Sequence, residues 1–381
     1  MYKSQNRSYN LPEQSNACER NQILVALRRM NALIYDVYVG SYTGPNGGEG
    51  IYHIKLDTQK ETLSLLSSYP EYSSNPSFLV VRPDHVYAVS EGAPSGAVSA
   101  FLRNPKTGGL TFQNRIEAPG TAMCHLTLWP DGKHLSAANY GSGSLVTCSL
   151  RDDGTMDKVC MLEQHQGVGF DSTGRQGGPH VHSTIAAPDG KHLYVADLGL
   201  DWLACYEMRE DGTVKLAEEE CQIRTPGGEG PRHFVFTQNG KYLYLVTEMG
   251  NHLFVYRRKG KGYECLQQLP LLPPDFQGFN TAADIHFSDD GKYLYASCRG
   301  RDCLTAFRVD PETGCAELTG YYDSYGRGPR NFCMVPGGEL VLITNQVTGN
   351  LVLCPRNPED GSIAAPVAEL RIPQAVFVSV V

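Results

Sequence analysis

APDGKHLYVADLG, residues 187–199, is one copy of a phrase that recurs along the chain. A polar turn ending in glycine leads into a short apolar run, which ends in a second glycine-rich turn. TQNGKYLYLVTEMG (237–250), SDDGKYLYASCRG (288–300) and WPDGKHLSAANYG (129–141) repeat it closely, and RPDHVYAVSEG (82–92) and VPGGELVLITNQVTG (335–349) are looser copies. Anchoring on Gly132, Gly190, Gly240, Gly291 and Gly338 gives spacings of 47 to 58 residues. A period of this size signals a repeat architecture, and propeller blades fit it.

Each unit reads as four short strands. In the copy quoted first, HSTIAA, KHLYVAD, WLACYEM and VKLAEEECQ alternate or run apolar between turn signals. No long segment of 3.6-residue period follows residue 33, so folds that need helices between strands are set aside. Six units start near Ser77, Cys124, His182, Arg232, Ala283 and Arg330. A seventh is split between the termini: IPQAVFVSVV resembles the first strand NPSFLVVRPD, and YDVYVGSYTGPNGGEGIYHIKLD supplies the strands it lacks. Joining them closes a ring and leaves no exposed sheet edge. The expected fold is all-β, a seven-bladed β-propeller over residues 33–381, closed by pairing the C-terminal strand with N-terminal strands in one shared blade. Residues 1–32 are expected to form an extension, poorly ordered or partly helical over 23–30.

Composition narrows the partners. A formal net charge of −8 argues against nucleic acid. No apolar run approaches the ~20 residues of a membrane helix. The twelve cysteines are scattered without a CxxC, which points to free thiols and, with no secretory signal, to the cytoplasm. A monomer or homodimer acting on a small anionic molecule is the expectation.

In a propeller, the start of each first strand and the end of each second strand meet at one mouth of the central channel. Eight residues before the anchor glycines stand Cys124, His182, Arg232, Ala283 and Arg330, with Ser77 equivalent to them in the loosest unit; eight after stand Tyr140, Leu198, Glu248 and Arg299. Repeats kept only for stability would carry similar residues at these places. Here the later units diverge toward His, Arg and Glu, which marks the mouth as the candidate site. RQGGPHVH (175–182) adds Arg175 and His180 beside it, and ADIH (283–286) adds Asp284 and His286. Bland readings compete at several positions. Asp197 reads as a turn cap, His233 as a satisfied side chain on the far strand face, and His286 as a histidine paired with Asp284. The HxH at 180–182 lacks an HExxH or paired CxxC context, so no metal is expected.

YVGSYT (38–43), PHVHS (179–183), YVADLGLD (194–201), GPRH (230–233), LVTEMGN (245–251) and ADIHFSDDGKYLYASCRG (283–300) together resemble the seven-bladed propeller lactonase family. This family includes the propeller-type 6-phosphogluconolactonases and the fungal carboxymuconate cyclase. The resemblance covers roughly residues 33–381 and implies lactone opening or closing without a metal or organic cofactor. Residues implicated in the cyclase branch fall on His182, on Arg232 in its Pro-Arg pair, on Glu248 in TEMGN and on Arg299 in SCRG. Cys124 and Ser77 depart from any polar pattern.

The expected reaction is hydrolysis of a sugar lactone, 6-phosphogluconolactone foremost. Glu248 or His182 would act as base on water, and Arg232 and Arg299 would stabilise the oxyanion or hold a phosphate. Arg330, Arg175, His180, Asp284 and His286 are candidate substrate contacts. A carboxymuconate-type cycloisomerase and a non-catalytic binding propeller are the alternatives.

Overall fold

The recurring phrase is a turn that caps itself. Asp131 Oδ1 accepts the backbone N–H groups of Lys133 (2.8 Å) and His134 (3.1 Å), and Asp189 Oδ1 does the same for Lys191 (2.9 Å) and His192 (3.1 Å). The glycine between them sits at φ +68° in both turns. An L side chain would pay ~1–2 kcal/mol in that left-handed conformation, which is why the anchor is glycine.

In a computed structural model describing residues 33–381, apart from 71, 72 and 93, the chain forms seven antiparallel sheets, and these turns join the first strand of a sheet to its second. The expected extension over 1–32, with its helix at 23–30, lies outside the described residues. Blade 1 is the shared one: the C-terminal strand Ala375–Val380 pairs with Ile34–Ser41 in register Val39↔Val378 and Val37↔Val380. Blades 2 to 7 follow in chain order, with first strands at Leu79–Val81, Met123–Leu128, Val181–Ala186, Pro231–Phe236, Thr281–Phe287 and Pro329–Met334.

Six blades have four strands and blade 4 has five. The expected outer strand VKLAEEECQ is broken there into Val214–Leu216, a 3-10 turn at Glu219–Cys221, and the two-residue strand Ile223–Arg224. Gln222 accounts for the break. Its side-chain amide accepts from Cys205 N–H (2.9 Å) and donates to the carbonyls of Cys205 and Ala217 (both 3.0 Å), standing in for ladder bonds.

Seven apolar clusters fill the seven interfaces between neighbouring blades. Second strands lie between two such clusters, so Tyr242–Thr247 is buried throughout, whereas the outer strand Leu110–Ala118 alternates between exposed and half-buried residues inside its two buried ends. Among the described residues no helix is long and apolar enough to cross a membrane.

Two local features position the site. The residue closing each second strand donates its N–H to a carbonyl two residues before the mouth residue of the first strand, as in Glu248 N–H to Gly230 O (2.8 Å) and Leu198 N–H to His180 O (2.9 Å). First strands also carry a one-residue register shift, at Cys124, His182, Arg232 and Arg330. A bulge leaves one residue unpaired and re-aims its neighbours. In blades 3, 5 and 7 two consecutive residues therefore reach the channel.

Candidate active site

The register of the repeats builds a first ring at the mouth from Ser77, Cys124, His182, Arg232, Arg330 and Val376, which converge on one small space. Below it a second ring, including Phe78, His125, His233, Asp284, Asn331 and Phe377, forms the roof of a chamber of about 300 Å³ in the rest of the channel. Between the rings only about 10 Å³ is free, scarcely one water's room. Solutes reach the mouth from its own face of the disk.

Glu248 is the centre of the mouth. Its Oε1 accepts from Arg175 Nη2 (2.8 Å), and its Oε2 accepts from Arg232 Nε (2.7 Å) and pairs with Arg299 Nη2 (3.2 Å). His182 Nε2 stands 3.7 Å from the same Oε2. Burial pushes the Glu248 carboxyl up, but Arg299, Arg232 and Arg175 outweigh it and hold the group well below the usual carboxylate range.

His182 is held neutral. Burial, then Arg232, His233, Arg330 and Arg299, pull its imidazole well below the ordinary value, outweighing the nearby carboxylate at 3.7 Å. Its Nδ1 is buried without a hydrogen-bond partner. Arg232, 2% exposed, also donates from Nη1 to the carbonyl of Ala283, so two of its nitrogens are committed to the protein. Arg299 donates to Ala282 O (2.9 Å) and keeps a buried, unpartnered Nε. Arg330 donates from Nη2 to the Tyr42 hydroxyl (2.9 Å), with its guanidinium 5.4 Å from that ring's centre.

The structure thus gathers His182, Arg232, Glu248, Arg299, Arg175 and Arg330. His180 stays at the rim: it stacks on Tyr140 (4.5 Å between centres), its Nδ1 meets Tyr140 O at 2.8 Å, and Asp197 accepts its backbone N–H. Asp197 is the turn cap its position suggested, accepting also from Leu200 N–H (3.1 Å). Asp284 and His286 are not at the mouth. They line the lower chamber, bonded to each other at 2.7 Å, and Asp284 Oδ1 also meets His233 Nδ1 at 2.7 Å. His233, read as facing away, lines the channel instead, because the bulge at Arg232 turns both residues inward.

Two mouth residues carried no sequence signal in the eight-residue count. Glu91 and Tyr42 close the second strands of blades 2 and 1, at the places Glu248 holds in blade 5 and Arg299 in blade 6. Glu91 Oε2 accepts from the Tyr42 hydroxyl (2.9 Å) and from the Ser77 hydroxyl. Ser77, a bland residue in sequence, is thereby tied to the site. RPDHVYAVSEG lacks the anchor glycine, but Glu91 stands one residue before its closing glycine, as Tyr140, Leu198 and Arg299 do in blades 3, 4 and 6, and that count would have exposed it.

Residues 36–380 match the family described as "Lactonase, 7-bladed beta-propeller". Proteins named 6-phosphogluconolactonase from Bacillus subtilis (strain 168) and Formosa agariphila are each 30% identical to the chain, over 90% of its length and 97% of theirs. A solved structure of the Pseudomonas aeruginosa periplasmic gluconolactonase superposes with a TM-score of 0.85 at 30% identity, over 92% of this chain and 99% of that one. With the match running through all seven blades, the chain belongs to the seven-bladed β-propeller lactonase family.

Proposed function

We propose that the protein hydrolyses a sugar lactone at this mouth, with 6-phosphogluconolactone as substrate and 6-phosphogluconate as product. One observation carries the reading. Four guanidinium groups (Arg175, Arg232, Arg299, Arg330) meet two carboxylates (Glu248, Glu91) at the mouth of a chain whose net charge is −8. Positive charge focused in a low-dielectric cleft selects an anion.

Of the two candidate bases, His182 suits the task better. The arginines depress both groups, but they occupy both oxygens of Glu248, whereas the neutral imidazole has a free Nδ1 and a carboxylate near enough to stabilise the imidazolium. His182 removes a proton from water as its oxygen attacks the lactone carbonyl. Arg299 stabilises the oxyanion. When the ring C–O bond breaks, the imidazolium returns its proton to the leaving oxygen, and ionisation of the new carboxylic acid releases one proton to solvent. Arg330 and the rim residue Arg175 hold the phosphate through their open donors, and Arg232 keeps Glu248 in place.

The test is a lactone panel followed by pH-stat, since sugar lactones also open spontaneously. It sets 6-phosphogluconolactone beside gluconolactone, because the relatives' names differ on the phosphate. Acceleration above the buffer rate is expected for the phosphorylated lactone first; no acceleration of any lactone would overturn the proposal. Arg330→Ala is expected to raise KM for 6-phosphogluconolactone about 10- to 100-fold, since a charged hydrogen bond contributes about 1.5–3 kcal/mol. Gluconolactone should suffer much less.

A further inference from the structure

We propose that Glu91 reads the hydroxyl groups of the substrate, so that this wall of the mouth selects polyhydroxylated lactones over plain ones. The inference rests on the lactone-opening reading and extends it to the wall opposite Glu248. Glu91 and Glu248 stand three blades apart, as far as a ring of seven allows.

The two carboxylates are differently engaged. Both oxygens of Glu248 are occupied by guanidinium groups. Glu91 has no guanidinium partner among the described residues: Oε2 takes the Tyr42 and Ser77 hydroxyls, and Oε1 accepts no hydrogen bond. The side chain is half-buried. An ionised carboxylate is acceptor-only, so the open oxygen calls for a donor, and a sugar hydroxyl is the donor a polyol lactone brings.

The wall is also built to hold its shape. Glu91 N–H donates to Asn75 O (3.2 Å), and Asn75 Nδ2 donates to Glu91 O (2.9 Å). Asn75 adopts a left-handed φ of +49°, and its Oδ1 accepts from Thr43 N–H (2.7 Å). Tyr42 joins this wall to the anion grip, because its hydroxyl accepts from Arg330 while donating to Glu91. The phosphate contact and the hydroxyl contact are thus set at a fixed separation. A lactone without hydroxyls covers Oε1 and leaves it unpaired, which is how a site built for a hydroxyl rejects the analogue lacking it.

The experiment compares gluconolactone with δ-valerolactone, a six-membered lactone bearing no hydroxyl, in wild type, Glu91→Ala and Glu91→Gln. Thermal melts confirm that each variant is folded. Glu91→Ala is expected to lose about 10- to 100-fold more kcat/KM on gluconolactone than on δ-valerolactone, the worth of one charged hydrogen bond. The loss should lie in KM, as for an interaction shared by ground and transition states. Glu91→Gln, which keeps the volume and one acceptor, should lose less. Equal losses on both lactones would place Glu91 at the reacting atoms and overturn the proposal, and so would no loss on either. If wild type opens neither lactone nor 6-phosphogluconolactone, the lactone-opening reading itself falls, and the wild-type arm alone shows it.

Discussion

Glu248→Gln is expected to lower stability by about 3–5 kcal/mol, the cost of removing one partner from a buried ion pair, and to lower lactone opening with it. Gln can still accept from one arginine, but it cannot balance three. Arg232 is 2% exposed and pairs with this carboxylate, so its charge would stand uncompensated. Arg299, also tied to that carboxylate at 3.2 Å, would lose the contact that aims it. The effect depends on pH, and its sign follows from the direction of the shift. The Glu248 carboxyl titrates lower in the folded protein than unfolded, so its contribution is complete above the unfolded value of ~4.3 and fades as pH falls below it. Denaturant titration of wild type and variant should show a gap that is constant at neutral pH and narrows in acid. Equal stability at neutral pH would remove Glu248 from its role as the hub of the mouth.

The legible and illegible parts of this site divide along the repeat. Where a unit keeps the capped glycine turn, as at Gly190, Gly240 and Gly291, counting eight residues in either direction lands on the mouth. The turn fixes where both flanking strands begin, and so His182, Arg232, Glu248 and Arg299 were readable. Glu91 was not, because Asp84-His85 replaces the glycine turn and shifts the count. Tyr42 was hidden by the split blade, whose two halves lie at opposite ends of the chain. Simple two-residue alternation also fails at the bulges. Arg232 and His233 both face the channel, so a rule that sends neighbours to opposite faces misplaced His233. Asp284 and His286 were correctly paired by alternation, yet depth along the channel is set by how far each strand has run, and they line the lower chamber rather than the mouth. Closure of the ring was legible because IPQAVFVSVV carries a first strand's pattern and YDVYVGSYTGPNGGEGIYHIKLD carries the pattern of the strands that pair beside it.

Substituting His182 by Gln is expected to cost ~10²–10⁴-fold in kcat, the range for losing a general base, with KM little changed. Gln fills similar space and keeps the backbone carbonyl that accepts from the Cys124 thiol (3.3 Å), so the fold of blade 4 should persist. The pH profile separates a base from a spacer. Because burial and the neighbouring guanidinium groups depress the His182 imidazole, it remains in the proton-accepting form from neutral pH to below the ordinary histidine value of ~6.5. Wild-type kcat should therefore stay flat through that value and fall only in more acidic solution. Arg330→Ala removes one of the charges that depress the imidazole, so its acid limb should move upward, toward ~6.5. Kinetics of both variants across the slightly acidic range, run beside wild type, read these limbs directly. Near wild-type kcat in a folded His182→Gln protein, or an acid limb that ignores Arg330, would give the base to another group. Glu91, the one mouth carboxylate not clamped by arginine, would be the next to test.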